Sequence, residues 1–300
     1  MNSKQLLFFK RTAELENMTK AAEDLMVSQP FLSRVIAELE AELGVELFDR
    51  KWRRLVLNSY GEAFFKRVVN IFKEADDAVK EIQDLKQAQA ARLKIATNVS
   101  LYMPGLLKTF TDQNPDLIIS QYSSTRKRLE KMILNGDIDF AICCPPIESN
   151  EAIEDIVLRN EPGVIIYPKG HWLEKFGEID FDDIKDETFI CGSKGFGARD
   201  VMDEYMSKLN IHPKILIETV DTSSVLKYVA SGLGVALVPY SQVLMEPEFR
   251  SSYTKLKNNP SGIVALCWRK GQYINQAGKL FMEKAADYFM SLDKLESFQH

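Results

Sequence analysis

The stretch TKAAEDLMVSQPFLSRVIAELEAELG, residues 19–44, predicts two helices joined by a short turn. Thr19 is expected to cap the first helix, because its hydroxyl can accept a hydrogen bond from an otherwise unpaired backbone amide. Ser28 is the expected cap of the second helix, Pro30 is tolerated in its first turn, and Gly44 supplies the stop. Two helices separated by a turn of about three or four residues form a helix-turn-helix.

The second helix has two different faces. Apolar side chains at spacings of three and four predict a buried stripe made of Leu32, Val35, Ile36, Leu39 and Leu43. Gln29, Ser33 and Arg34 project elsewhere from the N-terminal half, whereas the exposed C-terminal half is acidic. Phosphates would repel the acidic half, so only the N-terminal half can face DNA, where glutamine pairs with an adenine edge and arginine with a guanine edge. The alternative is a small helical domain whose polar side chains are merely solvated.

A basic hairpin is predicted directly after the helix-turn-helix. Two short strands, at 45–48 and 54–57, flank a tip that carries four cations within residues 50–54. Such a hairpin is a wing, which can reach a phosphate backbone or the minor groove. The candidate DNA-binding residues are therefore Thr19, Ser28, Gln29, Pro30, Ser33, Arg34, Lys51, Arg53 and Arg54.

The candidate residues are assigned different roles. Gln29, Ser33 and Arg34 are expected to read bases, with Pro30 setting the entry of the helix, and Arg53 is expected to enter the minor groove. The other four candidates are expected to be phosphate contacts or helix caps, namely Thr19, Ser28, Lys51 and Arg54.

Composition limits the class of protein. The 300 residues predict two or three domains, and 45% hydrophobic with 27% charged residues is typical of a globular chain. The net charge of −5 gives no support to nucleic-acid binding, but residues 1–58 hold nine basic and nine acidic residues that are sorted locally. Four scattered cysteines and three histidines argue against a disulfide framework and a metal site, and no cofactor is predicted. The lack of a long apolar run or a signal-peptide pattern predicts a cytoplasmic protein with no membrane partner.

A long helix is predicted from Asn58 or Ser59 onward. Its apolar side chains alternate at spacings of four and three, as in a coiled coil, through Phe64, Val68, Ile71, Ala75, Ala78, Ile82 and Leu85. A seam this narrow favours a partner helix and predicts a dimer interface, with a hinge at 87–91. The alternative is packing on the second domain of the same chain.

Residues 92–300 alternate short apolar strands with helical patterns, which predicts an α/β fold. Strands are expected at 93–96, 117–122, 140–143, 163–167, 189–191, 215–218, 235–238 and 263–268. Helices are expected near 102–113, 126–135, 198–209, 223–231 and 275–291. The number of elements suggests two lobes, with the chain crossing near Pro162 and returning near Arg269.

The N-terminal motifs resemble those of the LysR-type transcriptional regulators. The similarity runs from Leu6 to about Val69 without a gap and rests on Ala21, Ala22, Leu25, Ser28, Gln29, Pro30, Ser33, Leu39, Glu40, Leu43, Gly44, Leu47, Phe48, Arg50 and Gly61. Asn17-Met18-Thr19 stands where the family usually has Ser-Phe-Thr. The second half is similar to the family's effector-binding domain, through segments such as 135–142, 169–173 and 229–239.

The resemblance implies an α plus α/β architecture. It comprises a winged helix-turn-helix at 1–58, a linker helix with hinge at 59–91, and a two-lobed domain at 92–300 that is like type 2 periplasmic binding proteins. Lobe I covers about 92–162 and 269–300, and lobe II covers about 163–268. It further implies promoter DNA as a partner, a small-molecule effector between the lobes, and a tetramer in which the effector alters DNA bending. The coiled seam explains only one interface, so the chain is expected to pair with itself as a homodimer or homotetramer.

Residues that follow strands are the candidate effector ligands. Ser100, Ser124 and Thr125 precede predicted helices on one side of the cleft, and Phe196 and Thr222 lie on the other side. Helix N-termini offer free amides and a positive dipole end, which suits an anionic effector, while Phe196 can pack on an apolar part of it. The alternative for each serine or threonine is an ordinary helix cap.

Two other functions remain open at this stage. One is a small-molecule binding protein whose N-terminal part only oligomerises, which leaves the sorted charges of the wing unexplained. The other is an enzyme, for which the sequence offers no nucleophile–base set, phosphate-binding loop or metal cluster. Redox sensing by cysteines such as Cys143, Cys144 or Cys191 has little support, since the paired spacing of peroxide sensors is absent from the sequence.

Overall fold

A computed structural model describes residues 1–51, 54–85, 92–112, 117–147, 150–258 and 260–297 of the chain. The chain divides into two compact units, Met1–Ile82 and Gln83–His300. The first unit holds the helix-turn-helix, the hairpin and most of the long helix, and the second holds the α/β region.

The first unit is a small helical core with a hairpin. Its elements are α1 (Ser3–Leu15), α2 (Met18–Asp24), α3 (Gln29–Leu43), β1 (Phe48–Lys51), β2 (Arg54–Leu57) and α4 (Ser59–Leu85). The expected stripe of α3 is buried from Leu32 to Leu39. Phe9 of α1 lies beneath it, with its ring centroid 5.5 Å from that of Phe48 and 5.1 Å from that of Phe64. Leu43, the last residue of the expected stripe, is exposed.

Local capping sets the bounds of the two central helices. The expectation for α3 is confirmed, because the Ser28 hydroxyl accepts a hydrogen bond from Phe31 N at 3.4 Å and Gly44 adopts a left-handed conformation at φ +71°. The expectation for α2 was wrong. Asn17, not Thr19, is the cap, since Asn17 has extended backbone and its side-chain oxygen accepts from Lys20 N at 3.0 Å. Thr19 lies exposed in the first turn of α2.

The turn between α2 and α3 contains a residue in an unfavourable conformation. Met26 has φ +52° and is 92% exposed, so its side chain contributes little packing. Left-handed backbone costs an ordinary L-residue about 1–2 kcal/mol, and asparagine tolerates it better.

Met26→Asn is therefore expected to raise the free energy of unfolding by about 0.5–1 kcal/mol, since it relieves this strain without removing a contact. Thermal denaturation of the full chain, followed by circular dichroism, measures the change. Met26→Leu is the control and should leave the midpoint unchanged. A lower midpoint for the asparagine variant would contradict the prediction.

The first strand of the hairpin starts later in the sequence than expected. β1 begins at Phe48, not at residue 45, and pairs antiparallel with β2 from Phe48↔Leu57 to Lys51↔Arg54. The displacement occurs because Leu47 is drawn into the core. Its side chain is buried, its N–H donates to Glu40 Oε1 at 2.7 Å, and its carbonyl accepts from Asn58 N at 3.1 Å.

Helix α4 starts where the sequence predicted. Asn58 caps it, with Oδ1 accepting from Gly61 N at 2.9 Å. Gly61 lies against the end of the hairpin, since an added Cβ would come within 2.8 Å of Leu57 Cδ2 on β2 and within 2.0 Å of Leu47 O just before β1. The start of the helix is therefore packed against the wing.

The apolar seam of α4 changes character along its length. Val68 is fully buried in the core of the first unit, whereas Ile71 is 50% and Ile82 is 53% exposed. Ala75 and Ala78, between them, are also exposed. Within the described part of the chain, the second half of the seam is thus an apolar stripe facing solvent.

The second unit alternates strands and helices as predicted. Its strands are β3 (Arg92–Thr97), β4 (Ile118–Ser123), β5 (Phe140–Cys143), β6 (Ile153–Ile166), β7 (Glu178–Ile179), β8 (Thr188–Gly192), β9 (Lys214–Thr219), β10 (Ala236–Pro239), β11 (Tyr253–Leu256) and β12 (Ser261–Arg269). Its α-helices are α5 (Met103–Thr111), α6 (Arg126–Asn135), α7 (Gly197–Leu209), α8 (Thr222–Ala230), α9 (Tyr240–Met245) and α10 (Gln276–Ser297). The sequence analysis missed β7, β11, α9 and the first half of β6.

One long strand, β6, connects two lobes. Its first half pairs with β12 and its second half pairs with β10 and β11. On one side the sheet runs in the order β4-β3-β5-β12-β6, and β8 and β9 form a separate parallel pair in the other lobe. Ring pairs such as Phe110–Phe281 and Phe181–Phe189 occupy the two lobe cores.

The return crossing differs from the expectation. All of β12, from Ser261 to Arg269, pairs with the first half of β6, and it also pairs with β5 in lobe I. The chain therefore returns at about Pro260, not near Arg269. A strand pattern in the sequence predicts β12 but does not indicate its neighbours, which decide the lobe.

Candidate functional site

The N-terminal half of α3 presents a polar surface. Gln29, Pro30 and Arg34 are exposed, and Ser33 is half-buried. The Arg34 side chain is 70% exposed, and its Nε lies 3.4 Å from Glu38 Oε1, so the guanidinium is held but accessible. Of the other candidates, Ser28 is exposed and its hydroxyl is used as a cap.

The basic hairpin tip is described only in part. Lys51 and Arg54 face each other as the last backbone pair of the hairpin, and nothing is described of their side chains. Arg53 lies outside the described residues. Their assignment as DNA contacts stays a prediction.

An ion pair fixes α1 to the end of α2. Arg11 donates from Nε and Nη2 to the Asp24 carboxylate, both at 2.6 Å. These hydrogen bonds lower the pKa of Asp24. The pair holds the helices that support α3.

Sequence reasoning missed two residues beside this surface. Phe31 lies next to Pro30 on α3, and Lys4 of α1 approaches its ring, with Nζ 5.2 Å from the centroid. The spacing of Phe31 and Arg34 along a helix was visible in the sequence. The approach of Lys4 was not, because it depends on how α1 packs on α3.

In the second unit, a turn of lobe II docks on lobe I. The Gly195 carbonyl accepts from Arg126 N at 3.0 Å and from Asn98 Nδ2 at 3.2 Å. Gly197 N donates to Asn98 O at 3.2 Å, and an added Cβ at Gly197 would come within 2.5 Å of Val99. Asn98 follows β3, and Arg126 starts the helix that follows β4. Both therefore lie beyond the carboxyl ends of strands, where a cleft was expected.

The structure brings some of the predicted effector residues together. Thr125 precedes α6 and packs against Gly195, the neighbour of half-buried Phe196. Ser100 Oγ lies 3.5 Å from Ser123 Oγ, next to Ser124.

Thr222 starts α8, but the cap of that helix is Asp221, whose Oδ1 accepts from Ser223 N at 3.1 Å. The side chain of Thr222 is not described. Its expected contact with the effector stays a prediction.

A small cavity lies between the lobes. Its volume is about 30 Å³, roughly the space of one water molecule. The walls are mainly apolar, including Val99, Val201, Leu237 and Val264, and one carboxylate, Glu161, lies in the lining.

A buried polar cluster surrounds Glu161 at the point where β6 crosses between the lobes. Glu161 Oε2 accepts from Arg159 Nε at 2.6 Å, from Tyr102 OH at 2.9 Å and from Ser241 Oγ at 2.8 Å. Glu161 Oε1 accepts from Ser241 N at 2.8 Å. Arg159 also bonds the carboxylate of Asp293 on α10.

The cluster ties the two lobes together, since Tyr102 belongs to lobe I and Ser241 to lobe II. Burial and the adjacent Glu161 carboxylate raise the pKa of Tyr102, which therefore donates its proton in the hydrogen bond at neutral pH. Arg159 and Glu161 are two residues apart, so they share one face of a strand. This signal was missed because the sequence analysis did not predict a strand over this half of β6.

The cysteines are buried and free. Cys143 and Cys267 lie on neighbouring strands with their sulfurs 3.4 Å apart, and the hydrogen bond between them, with burial, raises the pKa of Cys143. Burial raises the pKa of Cys144 to about 12. A protonated, buried thiol is a poor nucleophile, so Cys144 is unreactive at neutral pH.

The described residues hold neither a candidate metal site nor a membrane-spanning helix. They contain no cluster of three or more histidine, cysteine or carboxylate side chains that could hold a metal ion. Across the same residues, every helix is too short or too polar to span a membrane.

Comparison with known proteins covers both units. Residues 3–62 match the model of the bacterial regulatory helix-turn-helix protein of the lysR family, and residues 86–289 match the LysR substrate binding domain. The uncharacterized HTH-type transcriptional regulator YybE of Bacillus subtilis is 30% identical over 295 residues, which cover 96% of this chain and 99% of YybE.

Solved structures show the same fold. Full-length CbnR, a structure determined with its target DNA, has a TM-score of 0.60 at 22% identity and covers 96% of this chain and 100% of CbnR. The effector binding domain of QuiR, determined with shikimate, has a TM-score of 0.58 at 22% identity and covers 68% of this chain and 99% of that domain. With both family models matched and a relative similar over nearly the full length, this chain belongs to the LysR family of bacterial helix-turn-helix proteins, which are transcriptional regulators and not enzymes.

Proposed function

We propose that this regulator recognises a specific promoter sequence through the N-terminal half of α3. The observation that carries the proposal is the division of α3 into a buried apolar stripe and an exposed surface with Gln29, Pro30 and Arg34. A recognition helix docks in the major groove with its N-terminal residues at base edges. CbnR, which has the same fold, is known in complex with its target DNA.

The remaining contacts position the protein on the duplex. Lys51 and Arg54 of the hairpin contact phosphates, and Arg53 enters the minor groove beside them. Thr19 and Ser28 are phosphate contacts at the two helix starts. None of these five residues is proposed to read a base edge.

The functional unit is a homodimer formed through α4. Ile71, Ala75, Ala78 and Ile82 lie on one side of the helix and are exposed in the single chain. Exposed apolar residues at coiled-coil spacing gain most from a second identical helix. Two recognition helices then read two half-sites about one helical turn of DNA, or a multiple of it, apart.

A small organic anion between the lobes controls the protein. Ser100, Ser124 and Thr125 of lobe I, with Phe196 and Thr222 of lobe II, are the residues expected to contact it, and Thr125 packs against Gly195 of the docked turn. A carboxylate of the effector replaces the Gly195 carbonyl at Arg126 N, the first amide of α6. The QuiR domain with shikimate supports this class of effector. The protein acts in the cytoplasm, where its DNA lies.

The first test is binding of the purified chain to fragments of its own genome, beginning with the region upstream of its own gene. Arg34→Ala is expected to cost about 1–3 kcal/mol of binding free energy and to relax the preference at one base of each half-site. Binding curves at two salt concentrations separate base readout from phosphate attraction.

Each outcome bears on the proposal. Selective binding that Arg34→Ala loses supports the assignment. An alanine variant that binds as tightly and as selectively as the parent removes Arg34 from the readout. A parent chain that binds no fragment, with or without candidate anions, favours the other hypothesis, a small-molecule binding protein whose N-terminal unit only oligomerises.

A further inference from the structure

Phe31 occupies a border position on α3, between the buried stripe and the exposed polar surface. It is half-buried, and its ring meets Phe8 of α1 edge-on, with the centroids 6.1 Å apart. The ring is thereby held in place by α1. Its remaining surface lies beside Pro30, one of the residues assigned to the DNA-facing half.

Two cations from different helices lie over this ring. Lys4 Nζ of α1 is 5.2 Å from the Phe31 centroid, and Arg34 Cζ of α3 is 5.7 Å from it. Lys4 Nζ is also 5.5 Å from the Phe8 centroid. Cations within about 6 Å of an aromatic centroid are attracted by the ring quadrupole. The aromatic pair therefore keeps both charges at the edge of the recognition surface.

The two cations suit different parts of DNA. Arginine presents a planar fork that matches a guanine edge, and lysine is a compact point charge that matches a phosphate. Arg34 is held from its other side by Glu38, at 3.4 Å, so its guanidinium is partly preorganised. Lys4 is exposed, and the start of α1 brings it next to the recognition helix without being part of it.

We propose that Phe31 is a positioning residue that orients Arg34 toward its base and holds Lys4 as an additional phosphate contact. The proposal rests on the DNA-binding function proposed above and adds a contact from α1 that lies outside the helix-turn-helix and the wing. In a dimer, Lys4 supplies two phosphate contacts.

The experiment uses the full-length chain and the upstream fragment selected in the genomic binding test. Lys4→Gln removes the charge, Phe31→Leu removes the ring but keeps an apolar side chain, and Phe31→Tyr restores a ring. Lys66→Gln, which removes an exposed lysine from α4, is the charge-matched control. Affinity is measured over a series of salt concentrations and on fragments with substitutions in the half-site.

Lys4→Gln is expected to weaken binding several-fold on every sequence and to reduce the slope of log K against log salt by about two per dimer. Phe31→Leu is expected to relax the preference at the base read by Arg34, and Phe31→Tyr to restore it. Because the ring holds Lys4, adding Lys4→Gln to Phe31→Leu should cost less than it costs in the parent. Lys66→Gln should keep the parent's slope.

Two results overturn the proposal while leaving the proposed function intact. One is a parental salt slope in Lys4→Gln, and the other is an unchanged base preference in Phe31→Leu. Circular dichroism melting of each variant separates a loss of binding from a loss of folding. A parent chain that binds no DNA overturns the proposed function and this proposal together.

Discussion

Replacing Arg159 by leucine is expected to lower the free energy of unfolding of the second unit by about 3–5 kcal/mol. Arg159 and Glu161 are both buried, and Arg159 Nε lies 2.6 Å from Glu161 Oε2. Removing the arginine leaves the Glu161 carboxylate in a low-dielectric site with only the neutral donors Tyr102 and Ser241. An uncompensated buried charge is far more costly than the loss of an exposed ion pair.

Urea denaturation of the full chain measures this effect. Tryptophan fluorescence is a suitable signal, since Trp172 and Trp268 lie in the second unit. Asp293→Asn is the matched control, because Asp293 is exposed and its loss should cost less than about 1 kcal/mol. A loss below about 1 kcal/mol for the leucine variant would mean that Tyr102 and Ser241 satisfy Glu161 without a counter-charge.

The cluster also bears on how the lobes move. Glu161 lies at the crossing of β6 and accepts hydrogen bonds from both lobes. The Gly195 turn of lobe II forms a second connection, because its carbonyl accepts from Arg126 N and Asn98 Nδ2 of lobe I. The effector position proposed above would require the turn to separate from lobe I, whereas the hydrogen bonds of Glu161 would not need to break.

Placing glutamate at both Ile71 and Ile82 is expected to weaken the α4 dimer at least about 100-fold, which corresponds to about 3 kcal/mol. Each isoleucine is about half exposed in the single chain, and a coiled-coil partner would bury that surface. The two glutamates remove the free energy gained by burying the isoleucines of both helices, and they place like charges across the seam.

Sedimentation velocity over a range of protein concentrations checks this prediction. Asn70→Glu adds a charge to the same helix away from the seam and should leave the dimer intact. A double variant that still sediments as the parent dimer would show that the seam is not the interface. The alternative, packing of the seam on the second domain, would instead appear as lower thermal stability without a change in assembly.

Much of the first unit could be predicted from local chemistry. Ser28 and Gly44 set the ends of α3, because a serine oxygen and a glycine in left-handed conformation satisfy the helix ends directly. The same reasoning predicted Thr19 as the cap of α2, where the structure has Asn17. Both residue types can cap, and only the extended backbone at Asn17 decides between them.

The candidate sites were predicted less evenly. Gln29 and Arg34 were singled out because helical spacing separates them from the buried stripe, and both are exposed. The Glu161 cluster was missed, because the first half of β6 is rich in charges and does not resemble a buried strand. Burial of those charges depends on Tyr102 and Ser241, which lie far away along the chain.

The sequence by itself determined most element types, the division of α3 into a buried apolar stripe and an exposed polar surface, and the family. These features follow from residues within a few turns of one another, where spacing and capping are physical constraints on the backbone. Only the tertiary structure decided that β12 belongs to lobe I, that Glu161 joins the lobes, and that Lys4 lies over Phe31. Contacts between distant parts of the chain leave no periodic pattern, because they depend on how whole elements pack and not on which elements form.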